Sequence, residues 1–277
     1  MTPTPSLPAG IRVCLFDLDG VVTKTDVQHR QCWKRTFDPF LAGLEQEDQP
    51  PFTLTDYLRH VDGLPRHDAV RRFLGSRGQF LRPGSPGDPP DARTVHGLAN
   101  RKDALLCACL AEEFVEPYPG TVRFIEAVRA AGMSTAIVSA SSHCAQVLDA
   151  SALSGLFDLR VDGRTARAES LHGKPSPDSY LHAASTLRVT PQQAAVFEDG
   201  PSGLRAAVRG GFGFVVAVDR CDEAAVLREE EPDLLVHDLA ELLLPPVALG
   251  APHATNRTPD PGTAPDPPRT PRPEALP

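Results

Sequence analysis

Ile11-Arg12-Val13-Cys14-Leu15-Phe16-Asp17-Leu18-Asp19-Gly20 is the stretch on which the rest of the chain hangs. Its apolar first half reads as a buried strand, and Gly20 turns the chain away. Side chains at i and i+2 of a strand share a face, so Asp17 and Asp19 are expected to leave the strand end on one side while Leu18 enters the core. Carboxylates at the carboxyl end of a strand lie where open α/β sheets bind ligands. Two so close repel, so a cation or a shared proton is expected between them. Taken alone, the same four residues, Asp17 to Gly20, also fit a turn with two solvated aspartates.

Outward from this strand, the pattern divides the chain. The stretch 25–47 reads as a helix with Val27, Trp33, Phe37, Phe40 and Leu44 as candidate buried positions. Further helices are expected from Thr53, over 67–76 (Val70, Phe73, Leu74) and over 92–113 (Leu98, Leu105, Leu106, Leu110). Breaks fall at 60–66 and in the Gly/Pro-rich loop 82–91. No convincing strand lies between Val22 and Glu116. Thereafter strands at 134–138, 159–161, 194–197, 213–218 and 234–236 alternate with helices at 119–131, 143–153, 177–187, 202–209 and 223–230. That alternation implies a parallel sheet covered on both faces, an α/β doubly wound core. The domain boundaries expected are a flexible amino terminus (1–10), a core (11–24 and 117–244), an inserted helical domain (25–116) and a tail (245–277). The tail carries eleven Pro in thirty-three residues without apolar periodicity, and is expected to be disordered.

Composition narrows the function classes. The chain has 277 residues, 41% of them hydrophobic, enough for a sizeable core. A formal net charge of -8 argues against nucleic-acid binding. No run approaches the ~20 apolar residues of a membrane span. Met1 to Gly10 lacks the charged and apolar regions of a signal peptide. The six cysteines are scattered, and Cys107 and Cys109 would point about 200° apart on a helix, poor geometry for one metal. Reduced, mostly buried thiols and a cytoplasmic location are therefore expected.

If the sheet is parallel, its strand ends bring together Asp17 and Asp19, Ser139, a lysine carried by the Gly173-Lys174-Pro175 loop, and Glu198-Asp199. Each supplies something phosphoryl transfer needs. Asp17 can attack phosphorus. Ser139 and the amides after it can hold phosphoryl oxygens at a helix amino terminus. Lys174 adds positive charge to the same oxygens, and Asp17 with Asp199 can hold Mg2+. Asp19 is left to move protons. Singly, Ser139 reads as a helix cap, Lys174 as a surface lysine and Glu198-Asp199-Gly200 as a turn; their joint order is what speaks for a site.

In FDLDGVVTKT, IVSAS, GKPSPD and FEDGPSG the sequence resembles the haloacid dehalogenase superfamily, over about 11–244. The resemblance implies a doubly wound core with a helical cap, an Asp17 nucleophile, an Asp19 acid/base, and Mg2+ held by Asp17, the Asp19 carbonyl and Asp199 with support from Glu198. Within that superfamily the chain resembles the β-phosphoglucomutase group. Thr25, His29 and Trp33 match its T-x-x-x-H-x-x-x-W arrangement, which falls on one helix face. VDGLPRHDAV, with Gly63 and Arg66, resembles the cap loop whose arginine grips the phosphate not being transferred. Lys102 matches a cap lysine facing the site, and Ser141, Ser142 and His143 the segment completing the distal phosphate site. Read without the family, His29 and Trp33 fit core positions, and Arg66 a solvated helix start. The sequence departs from the group at Lys24 (acidic there), His143 (Asn there) and Gly200 (Ser there).

The resemblance implies interconversion of β-glucose 1-phosphate and glucose 6-phosphate, with a sugar 1,6-bisphosphate as intermediate and activator. A phosphatase of sugar phosphates or other small phosphomonoesters would use the same residues. A non-catalytic phosphate-binding protein is the third reading, disfavoured by intact Asp17 and Asp19. The expected partner is a small phosphorylated substrate, with no nucleic acid or membrane, and the expected state is a monomer.

Overall fold

A computed structural model of the chain describes residues 3–44, 49–112 and 115–243. The tail from 245 onward lies outside the described residues. Six strands form one parallel sheet: β1 (Val13–Phe16), β2 (Ser134–Val138), β3 (Leu159–Val161), β4 (Ala194–Glu198), β5 (Phe214–Val218) and β6 (Leu234–Val236), in the order β3-β2-β1-β4-β5-β6. β1 is central, with Val13 opposite Ser134 on one side and Ala194 on the other. From β1 the chain winds outward to β3, then returns to β4 on the other flank. The strand order reverses beside β1, and ligands bind at the carboxyl ends of strands at such a point.

Strands buried on both faces read as unbroken apolar runs, which is why they are plain in the sequence. Cys14 and Phe16 face one layer, where Phe16 stacks on Phe197 at 4.7 Å and meets Phe124 of α5 (Pro119–Ala130). Val13 and Leu15 face the other, against Tyr180 of α8 (Asp178–Thr186) and Leu204 of α9 (Pro201–Arg209). The short helices α6 (Cys144–Ala150), α7 (Gly163–Ala168) and α10 (Ala224–Arg228) complete the core.

Between β1 and α5 stand the four cap helices: α1 (Thr25–Ala42), α2 (Leu54–His60), α3 (Arg66–Ser76) and α4 (Val95–Glu112). They enclose their own apolar cluster, centred on Trp33, Phe37, Phe52 and Phe73, with Phe37 and Phe73 rings 4.3 Å apart. The two connections to the core lie side by side. The Lys24 N–H donates to the Glu116 carbonyl and the Tyr118 N–H to the Val22 carbonyl, both at 2.9 Å.

Several local expectations change. Val27 is 38% exposed, because α1 turns Thr25 and Asp26 inward instead. Leu44, Leu105 and Leu110 are only half-buried. Helix α1 stops at Ala42, where the Gly43 N–H bonds back to the Phe40 carbonyl. The amino terminus expected to be flexible is tied at Ser6, whose N–H donates to the Leu242 carbonyl at 2.7 Å, and at Leu7, packed on the core. Of the six cysteines, Cys14, Cys32 and Cys144 are buried, whereas Cys107 is exposed.

Candidate active site

Parallel pairing of β1 with β2 and β4 fixes the first group. Asp17 follows β1, Ser139 follows β2, and Glu198-Asp199 ends β4. The Asp17 N–H donates to the Phe197 carbonyl at 3.0 Å, which locks the strand ends in register. Lys174 enters from the connection between β3 and β4. Its Nζ donates to Asp17 Oδ1, lies 2.6 Å from Glu198 Oε1 and donates to the Val138 carbonyl at 3.1 Å. The Tyr180 hydroxyl donates to Glu198 Oε1 at 2.5 Å and so holds that carboxylate from behind. Lys174 is 3% exposed; a buried ammonium needs such partners, and the two carboxylates hold it charged by raising its pKa further.

Asp17, Glu198 and Asp199 bring carboxylate oxygens within 4.8 Å of one another. Burial pushes Asp17 and Asp199 up, and Lys174 pulls Asp17 back. The charges that Asp199 feels most are Asp62, Asp17 and Glu198, all negative. Three carboxylates against one ammonium leave a deficit of positive charge that a hard divalent cation fits. Gly20, at φ +79°, lies so close that a Cβ there would sit 1.8 Å from Asp199 Oδ2.

The Asp19 carboxylate points away from the Asp17–Glu198–Asp199 cluster. β1 ends at Phe16, and the turn swings the Asp19 carboxylate toward the cap, where the Thr25 hydroxyl donates to its Oδ1. His29 Nε2 lies 3.7 Å from the same oxygen. Lys102 Nζ is 3.2 Å from His29 Nδ1 and sits over the Trp33 ring at 5.5 Å. An ammonium only donates, so Nδ1 accepts and a neutral His29 carries its proton on Nε2, facing Asp19. Burial supports the neutral form, lowering His29 to about 4 and Lys102 to about 8. The four-residue spacing of Thr25, His29 and Trp33 thus puts them on one face of α1, beside Lys102 of α4.

The helix expected at 143–153 is α6, Cys144–Ala150, but the loop ahead of it differs from the expectation for Ser139. Helix α6 begins only at Cys144, so Ser139 is not at a helix amino terminus. Instead Ser139 Oγ accepts from the Ser141 N–H and Ser141 Oγ from the His143 N–H, both at 3.1 Å. Arg66, on the first turn of α3, is paired with Asp103 of α4, and His143 Nε2 lies 2.9 Å from the same Asp103 oxygen. One cavity of about 670 Å³ joins these groups, lined from the core by Asp17, Asp19, Lys174 and His143 and from the cap by Arg66 and Lys102. Gly63, Trp33 and Ser142 also line it; Thr25 does not, acting on it through Asp19.

Two acidic residues were missed by the sequence reading. Asp103, next to Lys102, carries no motif of its own. Asp62 precedes Gly63 in the cap loop and is buried against Gly200, where a Cβ would sit 2.2 Å from Asp62 Oδ2. That oxygen has no hydrogen-bond partner. Burial raises the Asp62 carboxyl to about 7 although Tyr57 hydrogen-bonds to it. The only trace of this in the sequence is Gly200 itself, standing where the resembled group has Ser.

A haloacid dehalogenase-like hydrolase family profile matches residues 11–211. The chain belongs to the haloacid dehalogenase-like hydrolases. Among relatives of this haloacid dehalogenase-like chain, a β-phosphoglucomutase of Mycobacterium bovis is 45% identical over 244 residues, 86% of this chain and 93% of that protein. A validoxylamine A 7'-phosphate phosphatase of Streptomyces hygroscopicus subsp. limoneus is 28% identical over 242 residues, 84% of this chain and 97% of that one. The solved structure of β-phosphoglucomutase from Clostridium difficile matches with a TM-score of 0.65 at 21% identity, covering 84% of this chain and 93% of that chain, a likeness of fold.

Proposed function

We propose that this phosphoryl-transfer enzyme is a β-phosphoglucomutase, converting β-glucose 1-phosphate to glucose 6-phosphate through a sugar 1,6-bisphosphate. The observation that carries the reading is one cavity lined by cationic groups from both domains, Lys174 of the core beside Asp17 and Arg66 and Lys102 of the cap. A bisphosphate that must bind both ways round needs an anion site at each end. The 45% identity to a β-phosphoglucomutase over nearly the whole of both chains supports it.

In this reading, phosphorylated Asp17 gives its phosphoryl group to the C6 hydroxyl, whose proton goes to Asp19. The bisphosphate turns over in the cavity. Asp17 then takes the C1 phosphoryl group as the phosphorus–oxygen bond breaks, and Asp19 returns the proton to the C1 oxygen. The Thr25 hydroxyl holds the Asp19 carboxylate in place, and neutral His29 beside it adds no charge to compete for the proton. Lys174 and the Ser139 loop receive the transferring phosphoryl oxygens; Arg66, Ser141, Ser142 and His143 receive the distal phosphate. Asp17, the Asp19 carbonyl and Asp199 would hold Mg2+, with Glu198 holding Lys174 alongside. When bound, the ion supplies positive charge to the phosphoryl oxygens. A closed cap excludes water that would hydrolyse the aspartyl phosphate.

The second reading is a sugar-phosphate phosphatase, favoured by the validoxylamine A 7'-phosphate phosphatase among the relatives. Arg66→Ala separates the two. Hydrogen bonds to a charged group are worth about 1.5–3 kcal/mol each, so loss of a bidentate contact should slow the mutase by on the order of a hundredfold. Hydrolysis of an aryl phosphate, which has no second phosphate, should change far less. Equal losses of kcat/KM on β-glucose 1-phosphate and on aryl phosphate would favour the phosphatase.

A further inference from the structure

Besides the strand-end carboxylates, a second set of metal-ligating atoms converges where the cap meets the core. Asp103 and Cys107 are four residues apart on α4 and share a helix face. His143 comes from the core, just ahead of α6. His143 Nε2 lies 2.9 Å from Asp103 Oδ1 and 3.7 Å from Cys107 Sγ, and the three ligand atoms all fall within 4.8 Å of one another.

These separations can be compared with a real metal site. Tetrahedral zinc with bonds of ~2.0–2.3 Å holds its ligand atoms about 3.3–3.7 Å apart. The thiol and imidazole already stand at that spacing, the carboxylate oxygen is a few tenths of an ångström nearer the imidazole than that, and carboxylate and thiol lie within 4.8 Å of each other. The far side of the ring is prepared as well. Gln146 Oε1 lies 2.8 Å from His143 Nδ1 and accepts its proton, which directs the Nε2 lone pair toward Asp103 and Cys107. Cys107 is exposed, so an ion can reach the site from solvent. Arg66 holds the same Asp103 oxygen, so an ion there either displaces the guanidinium or takes the other carboxylate oxygen.

We propose that Asp103, Cys107 and His143 form a transition-metal site, best matched to zinc, that staples cap to core and inhibits the enzyme. The donor set of one thiolate, one imidazole and one carboxylate suits zinc over magnesium. Three protein ligands leave the fourth position to water. Binding releases the Cys107 thiol proton, together with any proton on His143 Nε2, and involves no change of oxidation state. Two ligands ride on the cap and one on the core, so the bound ion opposes cap opening and blocks turnover. The inhibition rests on the phosphoryl-transfer reading; the binding does not.

The test uses the purified full chain with Mg2+ present. One equivalent of Co2+ should give a thiolate-to-cobalt charge-transfer band in the wild type, and Cys107→Ser should abolish it. Any Co2+ at the Asp17–Asp199 cluster contributes no such band, as no thiolate ligates there. In parallel, Zn2+ should inhibit wild-type hydrolysis of aryl phosphate, and Cys107→Ser, active without zinc, should resist it at least tenfold better. No band in the wild type, or a band unchanged in Cys107→Ser, would overturn the site. A band lost as expected but with equal zinc inhibition of both proteins would overturn the staple.

Discussion

Asp62 brings a fourth carboxylate to a site that already holds Asp17, Glu198 and Asp199, and the sign of its effect can be worked out. Burial raises it to about 7 from an ordinary value of 3.8, so in metal-free protein the folded state holds a proton there that the unfolded chain gives up. Stability attributable to Asp62 therefore falls as pH rises from about 4 to about 7. Asp62→Asn removes that penalty. With chelator present, its melting temperature should exceed that of the wild type at about pH 8 and match it near about pH 4. An equal difference at both pH values would mean that the substitution acts through packing. Residue-level placement was only half legible in the sequence. Asp17 and Asp199 could be brought together because each sits at a strand end, and strand ends of a parallel sheet must meet; Lys174, on the connection from β3 to β4, was joined to them through its loop and the GKPSPD resemblance. Asp62 and Asp103 could not, because their positions depend on how a helical cap docks, and no short-range pattern encodes that.

At the scale of elements, the cap loop meets the core through close backbone approaches. The Ser202 hydroxyl donates to the Asp62 carbonyl at 2.6 Å, and a Cβ on Gly63, at φ +66°, would sit 2.3 Å from the Ser202 oxygen. A Cβ on Gly173 would likewise sit 2.3 Å from Pro65. Gly63→Ala should thus strain the closed arrangement twice, by backbone conformation and by contact. The left-handed backbone alone costs about 1–2 kcal/mol, so kcat/KM should fall about tenfold, with faster hydrogen exchange in the 61–65 loop. Unchanged kinetics would show that closure does not use this contact. The strands were readable because apolar runs buried on both faces have no other comfortable place. Helical periodicity told less: it gives the arc of a helix that is apolar, but α1 covers Asp26 and leaves Val27 out because that end serves the site and the hinge. Ser139 was read as standing at a helix amino terminus, whereas it caps a turn ahead of α6, because side-chain acceptors such as Ser139 and Ser141 serve turns and caps alike.

For the molecule as a whole, the uncompensated carboxylates predict that Mg2+ stabilises the fold. At a hundredfold excess over Kd, ligand linkage gives about 2.7 kcal/mol, or roughly 5–10 °C in melting temperature for a chain of this size. Asp199→Asn should remove most of that shift. An equal shift in the variant would place the ion elsewhere. Among the described residues, no helix is long and apolar enough to cross a membrane. The measurement that bears most directly on the function is product analysis with β-glucose 1-phosphate, Mg2+ and a trace of the sugar 1,6-bisphosphate. A mutase turns the substrate into glucose 6-phosphate with little inorganic phosphate released. Glucose and inorganic phosphate in equal amounts, with no glucose 6-phosphate, would contradict the mutase reading.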